Sequence, residues 1–385
     1  MNSGDARSVR SLIEERIHRE GPIRFGAFVE LALYGPGGFF SRGAGAGRAG
    51  RDFITSPEVG PLFGACVARA LDAEWERQGR PDPFVVIEAG AGNGRLAREV
   101  LRSMPGCAPA LHYVLVERSE ALREEQATHL PIEPRADALG PGRCEPGEDT
   151  PVPVLGLGPI VSALDAMPAR PVDGVIVANE LLDNLAFEIV VRTERGWSEV
   201  RVAIADGRLV EILVPATEDL VHWVVGVDAP VGTRLPVVAE LVEWIVGSAA
   251  SLRRGSMILL DYIAPWSDLV ARDGGWLRTY ADHSRGDDPL ATPGGRDITI
   301  DVPHEMVLRA AHRAGLSLVG DTTQAEWLRG LGIDALVEEG RKRWEASAAT
   351  PDLAAVAGRS RSGEAAALLA SPGLGEHTVL RFTKP

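Results

Sequence analysis

The chain of 385 residues has few cysteines and no long apolar run. Its cysteines, Cys66, Cys107 and Cys144, are widely spaced and form no C-x-x-C pair, which argues against a disulfide framework or a zinc site, so no metal is expected. No apolar stretch approaches the roughly 18 residues of a membrane-spanning helix. Residues 1–21 mix arginine with aspartate and glutamate and contain no apolar segment, so we expect neither a signal peptide nor a transit peptide. We therefore expect no membrane partner and, by default, a cytoplasmic location.

Lysine is also scarce, since Lys342 and Lys384 are the only two and arginine supplies nearly all of the positive charge. The formal net charge is −14 at pH 7. Such a chain repels a phosphate backbone unless it has a basic face, so we do not expect nucleic acid as a partner. The composition, 45% hydrophobic and 24% charged, is ordinary for a globular protein. A homodimer remains an open alternative.

A glycine-rich turn is the most informative segment that is present. The apolar run Phe84–Ile87 leads into Glu88-Ala89-Gly90-Ala91-Gly92-Asn93-Gly94-Arg95, and a helical pattern begins directly afterwards. Glycine permits a positive φ angle and lets bare backbone N–H groups approach a ligand. The dinucleotide fingerprint G-x-G-x-x-G needs glycine where Arg95 stands, which disfavours an NAD-dependent oxidoreductase.

The acidic residue before this turn favours a different cofactor. Class I S-adenosylmethionine (SAM) methyltransferases carry an acid two residues before the first glycine, where it holds the amino-acid end of the cofactor. In this chain that acid is Glu88. We therefore expect the turn to bind SAM through Glu88, Gly90, Gly92 and Gly94.

A second acid supports an adenosyl cofactor. The apolar run Leu111–Val116 ends on Glu117, which lies 23 residues after Gly94. A carboxylate at the tip of the second strand accepts hydrogen bonds from both ribose hydroxyls in Rossmann-type sites. The simpler alternative is a solvated surface carboxylate, because most glutamates are exposed. The order of strand, glycine turn, helix, strand and acid favours the ribose contact.

Apolar runs of strand length alternate with helical patterns along the chain, which indicates a mostly parallel sheet covered on both faces. The expected strands are 84–89, 111–117, 159–163, 174–178, 256–262, 316–320 and 377–382. We expect an α/β fold: a doubly wound, seven-stranded, Rossmann-like methyltransferase sheet with a β-rich insertion and helical N- and C-terminal additions.

The same patterns divide the chain into five expected segments. They are N-terminal helices and a glycine-rich loop (1–60), a SAM-binding core (61–186), a β-rich insertion plus a helix (187–250), the rest of the core with a substrate lid (251–322), and a helical cap with the last core strand (323–385).

Polar residues follow the fourth and fifth expected strands, at the edge where open α/β sheets bind ligands. Asn179, Glu180 and Asp183 come directly after one strand, and Asp261 ends the next. The acids at 180 and 183 are three residues apart, on one face of a turn. They could equally cap a helix, because acids are favourable at a helix N-terminus. His283 lies in a later polar stretch that could be a lid or a solvated loop.

Several sequence blocks resemble the MidA-type SAM-dependent methyltransferases, in family order from about residue 20 onward. The most specific are Asp52-Phe53-Ile54-Thr55-Ser56-Pro57-Glu58 and Asn179-Glu180-x-x-Asp183. The others are Gly21-Pro22-Ile23, Leu33–Phe40, Phe63-Gly64, the glycine turn, Asp261-Tyr262, Asp297-x-Thr299, Gln324–Leu328 and Leu331-Gly332-Ile333. The family includes a mitochondrial arginine methyltransferase that assists assembly of respiratory complex I. The resemblance implies methyl transfer from SAM, with Thr55, Pro57 and Glu58 near the cofactor and a protein arginine as one acceptor.

If the acceptor is an arginine, the acidic residues have a defined chemical role. A guanidinium stays protonated in solution and offers no free lone pair, so carboxylates must orient it and localise its charge. Glu180 and Asp183, assisted by Asn179, are the expected pair, and Asp261 or His283 would accept the released proton. Two alternatives stay open: a small-molecule, hydroxyl or carboxyl acceptor, and a SAM-binding assembly factor with little catalysis.

Overall fold

The computed structural model describes residues 8–43, 55–134, 142–143, 152–153, 155–281, 284–286, 288–347, 350 and 352–385. Within these ranges, none of the helices has the length and apolar character needed to cross a membrane.

The elements of the described ranges are numbered along the chain. The helices are α1 (Val9–Glu20), α2 (Phe25–Tyr34), α3 (Ser56–Val59), α4 (Pro61–Arg77), α5 (Arg95–Arg102), α6 (Glu120–Gln126), α7 (Glu218–Val224), α8 (Ala239–Ala250), α9 (Trp266–Ala271), α10 (His304–Arg313), α11 (Gln324–Gly330), α12 (Ile333–Ala346) and α13 (Leu353–Leu368). The first ten strands are β1 (Ile23–Arg24), β2 (Phe84–Ala89), β3 (Leu111–Val116), β4 (Ile132–Glu133), β5 (Gly142–Arg143), β6 (Val152–Pro153), β7 (Ile160–Leu164), β8 (Val172–Asn179), β9 (Glu188–Thr193) and β10 (Gly196–Ala205). The others are β11 (Arg208–Pro215), β12 (Arg234–Val237), β13 (Leu252–Asp261), β14 (Ile263–Ala264), β15 (Leu277–Ala281), β16 (Ser284–Gly286), β17 (Asp297–Ile300), β18 (Val302–Pro303), β19 (Ser317–Thr323) and β20 (Thr378–Lys384).

A mixed sheet of eight strands forms the centre of the fold. Its order is β19-β20-β13-β8-β2-β3-β7-β4, and β20 runs antiparallel to both of its neighbours while the other pairs are parallel. All seven expected strands are present in this sheet, and the two-residue β4 is an addition. The predicted α/β methyltransferase sheet is therefore confirmed.

The sheet separates two hydrophobic cores because successive side chains of a strand point to opposite faces. In β2, Val85 and Ile87 join the core formed with α1, α2 and the insertion. Phe84 and Val86 join the core formed with α4, α5 and the C-terminal helices. Burial on both faces explains why these strands read as continuous apolar runs rather than alternating ones.

The register of the central strands brings their carboxyl ends together. Ala89 of β2 pairs with Val116 of β3 on one side and with Ala178 of β8 on the other. Asn179 at the end of β8 pairs with Leu260 of β13. The turns that follow these four strands therefore open onto one edge of the sheet, which is the edge predicted to bind ligand.

The β-rich insertion forms a second, antiparallel sheet in the order β1-β10-β9-β12, with β11 on β10. Ile23 of the N-terminal region pairs with Val202 of β10. The N-terminal helices and the insertion thus share one core, although they lie far apart in the chain.

The C-terminal helices contact the start of α3 and α4. Ser56 is fully buried, and its Oγ donates to Gln324 Oε1 at 2.8 Å. Glu364 of α13 accepts a hydrogen bond from the Leu62 N–H at 2.9 Å, near the N-terminal end of α4. These contacts fix the Thr55–Glu58 segment against the C-terminal helices.

Candidate active site

The glycine turn has the backbone geometry that its sequence predicts. Gly90 and Gly92 have φ angles of +68° and +53°, in the left-handed region that favours glycine. The Gly90 N–H donates to Val116 O at 2.9 Å, which holds the turn against β3. A Cβ at Gly90 would lie 2.4 Å from Leu181 Cδ1, whereas a Cβ at Gly92 would meet no atom within 4 Å. The space beside Gly92 is therefore open to a ligand.

Glu117 stands at the tip of β3 beside this turn, 8% exposed. One carboxylate oxygen accepts from the Gly92 N–H at 2.9 Å and the other from the Ser119 N–H at 2.8 Å. Burial raises the pKa of Glu117, and these two backbone hydrogen bonds oppose the rise. A carboxylate has about four lone-pair sites, so capacity remains for hydroxyl donors of a ligand.

Glu88 is the penultimate residue of the buried strand β2, directly before the glycine turn. Its carboxyl accepts a hydrogen bond from the Tyr113 hydroxyl at 2.7 Å. Burial raises the pKa of Glu88 to about 8. A cation placed beside Glu88 would favour its ionised form, as the ammonium group of an amino acid would.

The segment Thr55–Glu58 lies opposite the turn. The Glu58 carboxylate accepts from the Thr55 N–H at 3.0 Å, which closes the first turn of α3. Arg95 reaches from the start of α5 and donates through Nε to Pro57 O at 3.0 Å. The preceding part of the block, 52–54, lies outside the described residues.

Glu180 follows β8 with a φ angle of +51°, a conformation that is uncommon for residues other than glycine and is typical of functional sites. Its Oε1 accepts from the Ser56 N–H at 3.3 Å and from Asn179 Nδ2 at 3.2 Å. Its Oε2 is buried and has no hydrogen-bond partner among the described residues. Burial, and then the neighbouring Asp261 carboxylate, raise the pKa of Glu180 to about 8.

Asp183 lies next to Glu180 and is 2% exposed. Its Oδ1 is buried without a partner in the described structure, as is Oδ1 of Asn179. Burial raises the pKa of Asp183 well above its usual value, and the Asp261 and Glu180 carboxylates raise it further. Three buried acceptor atoms therefore lack a donor at this end of the cavity.

Asp261 has a different position from the one expected of a proton acceptor. One oxygen accepts from the N–H groups of Leu181 and Leu182, at 3.1 and 2.7 Å, and the other from the Tyr262 N–H at 2.8 Å. Asp261 is 1% exposed and does not line the cavity. It is a positioning residue, because its hydrogen bonds hold the turn that carries Glu180 and Asp183.

Two further residues expected at the site, Gly94 and His283, are not found in the wall of the cavity among the described residues. Gly94 caps α5 and does not line the cavity, because a Cβ there would lie 2.7 Å from Leu130 Cδ1 of the protein interior. This close approach and the φ angle of +80° explain why a glycine is needed at this position. His283 lies outside the described residues, so its predicted role stays a prediction.

These side chains surround a single cavity that encloses about 1010 Å³, its open mouth included. Its wall contains every described residue that we expected at the site except Gly94 and Asp261. Six carboxyl side chains line it: Glu58, Glu88, Glu117, Glu180, Asp183 and Asp297. The cavity is large enough for a cofactor of the size of SAM together with an acceptor side chain.

Several cavity residues were not predicted from the sequence. Tyr34 and Phe40 form an aromatic wall, with their rings stacked 5.3 Å apart. Asn184 Nδ2 donates to Asp297 Oδ1 at 3.0 Å, beside Thr299. The signal for these residues was present, because the blocks Leu33–Phe40 and Asp297-x-Thr299 carry part of the family resemblance, but the sequence alone assigned them no chemistry.

The buried acids predict a pH-dependent stability of the ligand-free protein. The pKa is raised to about 8 for Glu180 and Glu88, to about 7 for Asp297 and to about 6 for Asp261, from ordinary values near 4. Between about pH 4.5 and 8 the folded state therefore holds more protons than the unfolded state, so stability falls as pH rises through that window.

We expect Glu180→Gln to increase the free energy of unfolding at pH 9 by about 1–3 kcal/mol. Urea unfolding of both proteins at pH 5 and pH 9 measures this, and an equal pH dependence in the variant would contradict it.

The mixed sheet and the cavity at its carboxyl edge define a class I SAM-dependent methyltransferase. Residues 66–322 match the model of a protein family described as "Putative S-adenosyl-L-methionine-dependent methyltransferase". The chain belongs to this family, and its cofactor is SAM.

The chain is similar to mitochondrial proteins named protein arginine methyltransferase NDUFAF7. It is 27% identical to that of Bos taurus over 347 residues, which cover 83% of this chain and 72% of that protein. It is 26% identical to the Drosophila melanogaster homologue over 359 residues, which cover 86% and 76%. Among solved structures it is similar to a "likely methyl transferase" from Burkholderia thailandensis bound to S-adenosyl-homocysteine, with a TM-score of 0.79, 28% identity, and coverage of 98% of this chain and 92% of that chain.

The names of these relatives correct one expectation. They describe mitochondrial proteins, which contradicts a cytoplasmic location for this chain. The cytoplasmic prediction is wrong because it was made by default, from residues 1–21, in which we expected neither a signal peptide nor a transit peptide.

Proposed function

We propose that the chain transfers the methyl group of SAM to a protein arginine, and that the cavity holds both reactants. The cofactor ribose would lie at Glu117 and its amino-acid end near Glu88 and the Thr55–Glu58 segment. The methyl group would then point toward Glu180 and Asp183. This orientation is supported by the order of the strand ends, because Glu117 and the 180–183 turn flank β2 on opposite sides.

The unpartnered acceptor atoms are the observation that carries the arginine proposal. Glu180 Oε2, Asp183 Oδ1 and Asn179 Oδ1 are buried and lack a donor in the described structure. Buried acceptors without a partner are costly, and buried like charges repel each other unless a cation joins them. A guanidinium supplies five N–H donors in one plane and a positive charge, and it pairs with carboxylates in a fork-like manner. A hydroxyl acceptor would supply one donor and no charge.

The chemistry of the transfer fits such a pair. The methyl carbon forms a bond to an arginine nitrogen while its bond to the sulfonium sulfur breaks, and that nitrogen loses one proton. Carboxylates on the other nitrogens would localise the positive charge away from the attacking one. Glu180, with its pKa raised to about 8, is suited to accept the proton. Holding the reacting atoms about 3–3.5 Å apart can supply much of the acceleration. The names of the NDUFAF7 relatives independently support arginine as the acceptor.

Isotope labelling tests this proposal. We expect incubation of the protein with SAM carrying a heavy methyl group, in a cell lysate, to place the label on arginine side chains of protein. Mass spectrometry of the digested proteins identifies the labelled residue. Label on other residues or on a small molecule would overturn the arginine assignment. Label on nothing, with SAM binding demonstrated in the same sample, would favour a SAM-binding assembly factor.

A further inference from the structure

The cavity contains one cationic side chain in an otherwise acidic wall. Arg95 is the only arginine, lysine or histidine among the described residues that line it, against six carboxyl groups. In the sequence, Arg95 occupies the position at which the dinucleotide fingerprint needs glycine. We infer that Arg95 binds the carboxylate of the methionine part of SAM and is the main determinant for a cofactor that carries this carboxylate.

The charges of the cofactor require such a group. SAM has an ammonium, a sulfonium and a carboxylate, and an acidic cavity suits the first two. The carboxylate would be repelled by Glu58 and Glu88, because like charges in a shared site disfavour each other. A guanidinium at the same end removes that repulsion and forms charge-assisted hydrogen bonds.

The guanidinium of Arg95 is held in place before any ligand binds. Its Nε donates to Pro57 O at 3.0 Å and its Nη2 to Glu58 O at 3.4 Å. A guanidinium has five N–H donors, so three remain for a ligand. Its Nη1 donates to no acceptor within the described ranges. Fixing the side chain in advance lowers the entropy that binding would otherwise cost.

The position of Arg95 at the start of a helix also favours the binding of a carboxylate. Arg95 is the first residue of α5, directly after the glycine turn, and the N-terminal end of a helix favours negative charge. Glu88 lies at the base of the same turn and suits the ammonium group. Arg95 and Glu88 would therefore hold the two opposite charges of one amino-acid group.

Arg95 also has a structural role, so the experiment must separate the two. S-adenosyl-homocysteine and its decarboxylated analogue, which keeps the amine and lacks the carboxylate, are the probes, and calorimetry measures the affinity of each. We expect the wild-type protein to bind S-adenosyl-homocysteine at least about 10-fold more tightly than the analogue. We expect Arg95→Gln to lose about 10- to 100-fold in affinity for S-adenosyl-homocysteine and less than about 3-fold for the analogue.

Two further variants complete the test. Arg98→Gln alters a neighbouring arginine whose Nε pairs with Glu99 at 3.0 Å outside the cavity, and it should leave both affinities unchanged. Arg95→Lys keeps the charge without the fork, and its loss should be smaller than that of the glutamine variant. Equal losses for both probes in Arg95→Gln would show that Arg95 only supports the Pro57 segment and would overturn the inference. A wild-type protein that does not discriminate between the probes would overturn it without any variant.

Discussion

Replacing Gly92 with valine is expected to abolish measurable SAM binding. The Gly92 N–H donates to Glu117, and its carbonyl accepts from Gln126 Nε2 at 2.7 Å, so two hydrogen bonds hold the backbone in its orientation. Gly92 lines the cavity, and a Cβ at this residue would meet no protein atom within 4 Å. A valine side chain would therefore occupy part of the empty cavity. That space is where the turn would bring its backbone against the cofactor. Calorimetric titration with SAM measures the effect.

Backbone strain needs its own control, because Gly92 has a positive φ angle and valine is unfavourable there. Gly79 is a matched position: its φ angle is +83°, and a Cβ there also meets no atom within 4 Å. It lies between α4 and β2, away from the cavity. Gly79→Val should lose stability by a similar amount and bind SAM normally. Normal SAM affinity in Gly92→Val would contradict the proposed position of the cofactor.

Local sequence patterns were sufficient to predict the central sheet and the glycine turn. Strands buried on both faces read as short apolar runs, and the turn needs glycine where φ is positive, as at Gly90 and Gly92. Glu117 was predictable for a similar reason, since it directly follows a buried strand and the carboxyl ends of such strands share one edge.

Contacts between segments that are distant in the sequence could not be predicted from local patterns. The Ser56 N–H reaches Glu180 across 124 residues of sequence, and the Ser56 hydroxyl reaches Gln324 across 268. Spacing placed Asp261 at the correct edge of the sheet, but it could not show that the carboxylate turns back to the backbone of Leu181 and Leu182. The role of a side chain at a strand end depends on which donors lie around it, and these come from other parts of the chain.

Replacing Glu180 with glutamine is expected to cut methyl transfer by more than about tenfold, a loss of roughly 1.4 kcal/mol in transition-state stabilisation, while SAM affinity is kept. The amide preserves the size of the side chain and its acceptor oxygen toward the Ser56 N–H. It removes the negative charge that would pair with a guanidinium, and it removes the group that would accept the proton. The proposed ribose contact at Glu117 lies on the other side of β2, and the amide keeps the contact with the Ser56 segment, so SAM affinity should not change.

A second glutamate serves as the matched control for this variant. Glu199 is also buried, at 1% exposure, and its carboxylate pairs with Arg201 at 2.7 Å in the second sheet. It does not line the cavity. Glu199→Gln makes the same chemical change in a buried carboxylate, and we expect it to leave the rate of methyl transfer unchanged at temperatures well below unfolding.

The rate of a single turnover with saturating SAM, measured together with SAM affinity, tests the arginine proposal most directly. The acceptor is the arginine-containing protein that the heavy-methyl labelling identifies. The wild-type protein and Glu199→Gln should transfer at the same rate, and Glu180→Gln should be more than about tenfold slower with an equal dissociation constant for SAM. Transfer at the wild-type rate by Glu180→Gln would contradict the proposal that this carboxylate orients the guanidinium and accepts its proton.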